Sequence, residues 1–190
     1  MMYDFRRIDV RGVRLQPDQK DTRSVRLQPD LERMPLQTSG EITADVPRDA
    51  AFAFLQDPHR LAACIPGCRD VREIGPNRYA AVLTSRVAFM TVSFTVAIEI
   101  VRLEAPSTIE AAIAGDAVGL GGHVSATALV ELAEADARRT TIRYATDIAL
   151  TGKLGGLGQP VFRSTSAQLA REFGANLKHA LESQPTGRPA

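Results

Sequence analysis

The chain has 190 residues, of which 44% are hydrophobic and 24% charged, and a formal net charge of +1. That is the composition of one ordinary globular domain, and the balanced charge removes any general electrostatic case for nucleic acid. Two cysteines make no disulfide scaffold, no apolar run approaches the ~20 residues that span a bilayer, and the N-terminus lacks the apolar core of a secretory signal; a cytoplasmic protein is expected.

The first stretch differs from the rest. VRLQPD occurs at Val13–Asp18 and again at Val25–Asp30. Residues 1–37 carry eight Lys/Arg and six Asp/Glu, with prolines at 17, 29 and 35, a density that interrupts any helical or strand period. They read as a disordered arm, dispensable for folding, ahead of a domain at 38–182 and a flexible tail at 183–190. Two repeats without apolar faces build no solenoid, and a net charge of +2 (8 − 6) makes a poor basic tether. The repeat also fits translated repetitive DNA upstream of a true start at Met34, which the intact mass of protein from its native host would reveal.

Ser39 to Val46 alternates as a strand and stops at Pro47. PRDAAFAFLQDP follows as a short helix with Asp49 near its positive end, and HRLAACI adds another turn before the Pro66-Gly67 break. CRDVREIG is a strand and GPN a turn into RYAAVLTSRVAFM. TVSFTVAIEIVRLEA then carries the clearest period of two: Val92, Phe94, Val96, Ile98 and Ile100 on one face, Ser93, Thr95 and Glu99 on the other. Two strands flank the glycine-rich GDAVGLGGH, and RTTIRYATDIALTG forms another with Ile142, Tyr144, Ile148 and Leu150 in phase. From Lys153 to Leu181 the period becomes helical, through Leu154, Leu157, Val161, Phe162, Leu169, Phe173, Leu177 and Leu181.

A strand, a short helix pair, about six antiparallel strands and one long helix predict an α+β fold of helix-grip type, a curved sheet wrapped around the C-terminal helix. The concavity between them suits an apolar ligand. Phe94, Val96 and Ile98 on the sheet and Leu157, Val161, Phe162, Leu169 and Phe173 on the helix are expected to line one chamber. Ile65, Leu120, His123 and Lys153 are expected near its mouth.

Motifs of other chemistry are weak. Cys64 and Cys68 in ACIPGC are spaced one residue too far for the usual redox or zinc-knuckle frame, and His59 alone does not complete a four-ligand site. A turn with two small, semi-buried thiols fits better, and no metal is expected. GDAVGLGGH lacks the Gly-Lys-Ser/Thr ending of a phosphate loop and stands outside any βαβ unit. GKLGGLG, read as the opening of the long helix, offers backbone N–H groups and Lys153 to an anionic head group. His123 has Asp116 as its one carboxylate candidate across the loop, while Glu99 and Asp147 are placed in solvent. No Ser-His-Asp or Cys-His set is present, so no catalytic residue and no cofactor is assigned.

GEITADVPRDAAFAFLQDPHRLAACIPGC, GLGGHVSATALVEL, TTIRYATDIALTGKLGGLGQPVF and AQLAREFGANL occur in an order that resembles the G-subunit family of carbon monoxide dehydrogenase, within the START-related superfamily, over residues 39–177. The resemblance implies a helix-grip fold with a hydrophobic cavity and a non-catalytic accessory role beside a molybdenum hydroxylase, carrying a lipid- or quinone-like molecule or seating the enzyme at the membrane. CIPGC then looks like a family turn near the cavity mouth. Some members end in a hydrophobic anchor, whereas this sequence ends in a polar tail, so peripheral contact with the inner membrane face is expected rather than permanent attachment. A carrier, a recruitment factor and a small cyclase or dehydratase are the three readings; inward residues that are mostly Val, Ile, Ala and Phe favour binding over chemistry.

Overall fold

The structure, a computed structural model, describes residues 34–87, 90–119, 121–153 and 159–183. In chain order the elements are β1 (Met34–Ala44), α1 (Arg48–Gln56), α2 (Pro58–Cys64), β2 (Cys68–Gly75), β3 (Arg78–Val87), β4 (Met90–Glu104), β5 (Thr108–Ala117), β6 (Gly122–Asp136), β7 (Arg139–Gly152) and α3 (Gln159–Glu182). The seven strands form one antiparallel sheet in the order β1-β7-β6-β5-β4-β3-β2. The helices pack against this sheet as a second layer.

Local chemistry sets the short helices. Pro47 occupies the N-cap of α1 and Asp49 its first turn. Asp57 caps α2, its carboxylate accepting from the backbone N–H of His59 at 3.0 Å and of Arg60 at 3.2 Å, and Pro58 opens the helix where no N–H is required. Ile65–Gly67 then reverses the chain into β2. Gly67 has φ +75°, and a Cβ there would collide with the Thr84 carbonyl, so this turn admits glycine alone.

β1 begins at Met34, not at Ser39, so the boundary expected between arm and domain at 37/38 falls inside a strand. Met34 to Gln37 pair with Leu150 to Asp147, and Leu36 is buried. Pro35 reads as a strand breaker, yet it stands opposite Ala149 in β1, which among the described residues is an edge strand, the place in a sheet that admits proline. Residues 1–33, and with them the VRLQPD repeat, lie outside the described residues. Helix α3 is described from Gln159, and Lys153 sits in a turn, its N–H donating to the Gly121 carbonyl at 3.1 Å; residues 154–158, and with them most of GKLGGLG, lie outside the described residues.

The remaining periods hold. Val92, Phe94 and Val96 are buried and Ile98 and Ile100 half-buried, while Thr95 and Glu99 are exposed. On α3, Phe162, Leu177 and Leu181 are buried and Leu169 and Phe173 half-buried, with Arg163, Arg171, Glu172 and Lys178 outside. The core is split in two. One cluster joins Phe52, Phe54 and Leu55 of α1 and Cys64 of α2 to Ile109, Leu132, Ile142, Leu177 and Leu181. The other joins Leu36, Ala81, Val87, Val92, Phe94, Val96 and Leu150 to Phe162.

Candidate functional site

What lies between the two clusters follows from strand register, since residues directly opposite in neighbouring strands share a face. One inward row runs Leu36–Ile148–Ala126–Ile113–Ile98–Tyr79 from β1 to β3, and the next runs Thr38–Thr146–Ala128–Ala111–Ile100. Apart from Leu36, every one of these residues is only half-buried. Ile98, Ile113 and Ile148 pack against the second cluster and Ile100 against the first, and the short Ala and Thr side chains stand between them.

The polar groups at one end of the sheet belong to its opposite face, since Thr84, Ser93, Asp116 and His123 alternate with the inward Leu83, Phe94, Ala117 and Val124. Thr84 N–H donates to Gly67 O at 2.9 Å, Thr84 pairs with Ser93, and Val118 N–H donates to Ser93 O at 2.8 Å. This ladder sets the α2–β2 turn and the β5–β6 turn at the same end of the sheet, about three strand spacings or ~15 Å apart. His123 stands near the start of β6 at that end, its Nδ1 3.0 Å from Asp116 Oδ1 and both side chains well exposed; it precedes the inward Val124, so the register turns it to the outer face and away from the expected mouth. Lys153 joins that corner through its bond to Gly121, and Val118 is 60% exposed beside it. Ile65, half-buried at the end of α2, stands on the far side of the same end.

The expected chamber residues divide accordingly. Phe94, Val96 and Phe162 belong to one packed cluster with Ile98 against it, and Phe173 packs on the other. Leu169 is half-buried on α3 between them. Val161 lies in the first turn or two of α3, and Leu120 and Leu157 lie outside the described residues.

Two grooves flank the helices. The larger, about 700 Å³, runs between α2 and the end of α3, where Arg60 stands 5.9 Å over the Phe54 ring and pairs with Asp57 at 3.3 Å. Asn176 Nδ2 donates to Cys64 O there at 3.2 Å, tying α3 to α2. The smaller, about 390 Å³, lies between β1 and α3 and is lined by residues 38–42, Tyr144, Ala167, Ala170, Arg171, Gly174 and Ala175. Tyr144 was legible only as one inward residue of a strand. Its neighbours Gly40 and Gly174 carried a readable signal, since an isolated glycine inside a strand or helix marks a close backbone approach.

The thiols are free, and burial pushes both Cys64 and Cys68 above the ordinary thiol range. Burial also raises the Tyr144 phenol. Among the described residues no three His, Cys, Asp or Glu side chains converge on a point that could hold a metal, and no helix is long and apolar enough to cross a membrane.

The profile of the CoxG family, the G subunit of carbon monoxide dehydrogenase, matches residues 40–182. The chain belongs to that family. No curated protein sequence matches it. Among solved structures it is similar to a conserved protein from Geobacillus kaustophilus, at 23% identity over 77% of this chain and 95% of that one, with a TM-score of 0.69. It is also similar to the Zhui aromatase/cyclase from Streptomyces sp. R1128, at 15% identity over 78% and 94% of the two chains and a TM-score of 0.58. A START superfamily protein from Mycobacterium smegmatis matches at 12% identity over 78% and 95%, with a TM-score of 0.55. At these identities the likenesses speak for the fold: a curved seven-stranded antiparallel sheet with a C-terminal helix, as this CoxG family member has.

Proposed function

We propose that this protein is a non-catalytic carrier that holds a hydrophobic small molecule, lipid- or quinone-like, between sheet and α3 in a helix-grip arrangement. It works in the cytoplasm, at times against the inner membrane face, beside a molybdenum hydroxylase of the carbon monoxide dehydrogenase type. The observation that carries this reading is the pair of half-buried Ala/Thr/Ile rows between two packed clusters. Covering such surface releases ~25 cal/mol per Å², enough to hold an apolar molecule without a charged anchor, less the cost of ordering it. Family membership supports the setting, and the START superfamily neighbour supports the binding class. The two rows offer hydroxyls and neither carboxylate nor imidazole, which favours carriage over a cyclase reaction. In this reading the band of short side chains between the clusters is the trough that takes the apolar molecule.

Ala128→Phe tests this by filling the trough. Ligand recovered in an organic extract and identified by mass spectrometry should be present in the wild type and lost in the variant, with the melting temperature unchanged or raised. A variant that melts several degrees lower and still carries ligand would mean that the rows are closed core. Recruitment of the enzyme would then be the better reading.

A further inference from the structure

The geometry points to a side window into the trough between β1 and α3, plugged by the Tyr144 side chain. The inference rests on the carrier reading and names where the apolar molecule passes. Tyr144 projects from the inner face of β7, its ring meeting Phe173 edge-on with centroids 5.1 Å apart, and its hydroxyl donates to Ala170 O at 2.9 Å. To reach that carbonyl the phenol threads between two glycines. A Cβ at Gly40 of β1 or at Gly174 of α3 would collide with the Tyr144 hydroxyl. The same ring borders the 390 Å³ groove on the outside. One residue therefore separates the groove from the interior, and the glycines on either side have no side chain with which to close the gap.

Three features suit a plug better than a fixed pin. β1 is the edge of the sheet among the described residues, so no described strand closes this side. The next inward row offers Thr38, Thr146 and Ala128, all small and half-buried, which leaves room for the ring to swing or for a ligand to follow. The Ala170 carbonyl also stands in helical register to accept from the Gly174 N–H, so releasing the phenol strands no acceptor while its hydroxyl meets water in the groove. Opening thus costs about one hydrogen bond and the edge-on contact with Phe173. Ala167 and Ala170 keep the helical wall of the groove narrow.

The test is stopped-flow fluorescence on the full chain with 1-anilinonaphthalene-8-sulfonate as the probe, its trough signal defined by what Ala128→Phe abolishes. Tyr144→Phe keeps the ring and removes the bond. Association and dissociation should both rise about fivefold, the factor one such bond carries, at unchanged affinity. Ala167→Trp fills the groove from an exposed position and should slow both. Unchanged rates in both variants, with the probe still bound, overturn the window and leave the carrier standing. A change in affinity without a change in association rate makes Tyr144 a contact residue and also overturns it. A wild type that shows no trough signal removes the carrier reading and the window with it.

Discussion

The face of the sheet that meets the helices has two regions built from the same alternating strands, one of large side chains and one of small. At the packed pole the strands point Ile109, Leu132 and Ile142 at Phe52, Leu55, Leu177 and Leu181, and these are buried. A few rows away the same strands point Ala111, Ala126, Ala128 and Thr146, and these are not. Period two decides which face a residue takes; the size of the side chain decides whether that face becomes core or cavity. A protein interior is close-packed, and on the carrier reading the space beside these short side chains is what the ligand fills.

The largest effect should come from thinning the pole. Leu177 has no exposed surface. Leu177→Ala should cost about 2–5 kcal/mol, lost methylenes plus the cavity left behind, measured by urea unfolding. The contrast with Ala128→Phe is the point: removing volume from one region should be severe, and adding volume to the other harmless to stability. Equal destabilisation by both variants would erase the distinction between the regions.

Next comes the second cluster, probed from the strand that frames it. Removing residues 1–33 leaves β1 whole, and we expect no loss of cooperative melting. Removing residues 1–37 also takes Leu36 and four ladder pairs from β1. That deletion should lower stability by roughly 2–4 kcal/mol, the order of one buried leucine and its neighbouring hydrogen bonds. Two deletions with the same melting temperature would show that the start of β1 contributes nothing to the cluster holding Phe94 and Phe162.

How much was legible follows physical lines. Alternation in β4 and helical spacing in α3 survive into the fold because each reports burial of a face within one element. The turn at Ile65–Gly67 and the strand connection before Gly122 were readable from glycine and proline chemistry alone. His123 and Asp116 could be matched because a tight connection makes their strands adjacent, and they stand opposite each other. Pro35 misled because its cost depends on whether a strand is at the edge, which is a property of the whole sheet. The row of short side chains was out of reach for the same reason. Thr38, Ala111, Ala128 and Thr146 come from four strands, and only register puts them in one row. The Gly40–Tyr144–Gly174 contact likewise joins three elements far apart in the chain.

The smallest expected effect separates the two regions by their thiols. Cys64 is buried in the pole and its Sγ–H donates to Arg60 O at 3.4 Å, whereas Cys68 is half-buried against the second cluster. Burial disfavours both thiolates, so both pKa values lie above the ordinary range. The stability this represents is fully present below the unfolded thiol pKa of ~8.5 and is lost as pH rises through the higher folded values. Replacing both by serine should therefore flatten the alkaline side of the stability profile slightly and leave the neutral region without a thiol term. Reaction with an aromatic disulfide reagent at pH 8 gives the sharper readout. Both thiols should react far more slowly than in the urea-unfolded chain, Cys68 ahead of Cys64, because the nucleophile is the thiolate and access is closed at the pole. If Cys64 reacts in the native protein as fast as in urea, the pole is not the packed region described, and the contrast with the trough loses its first member.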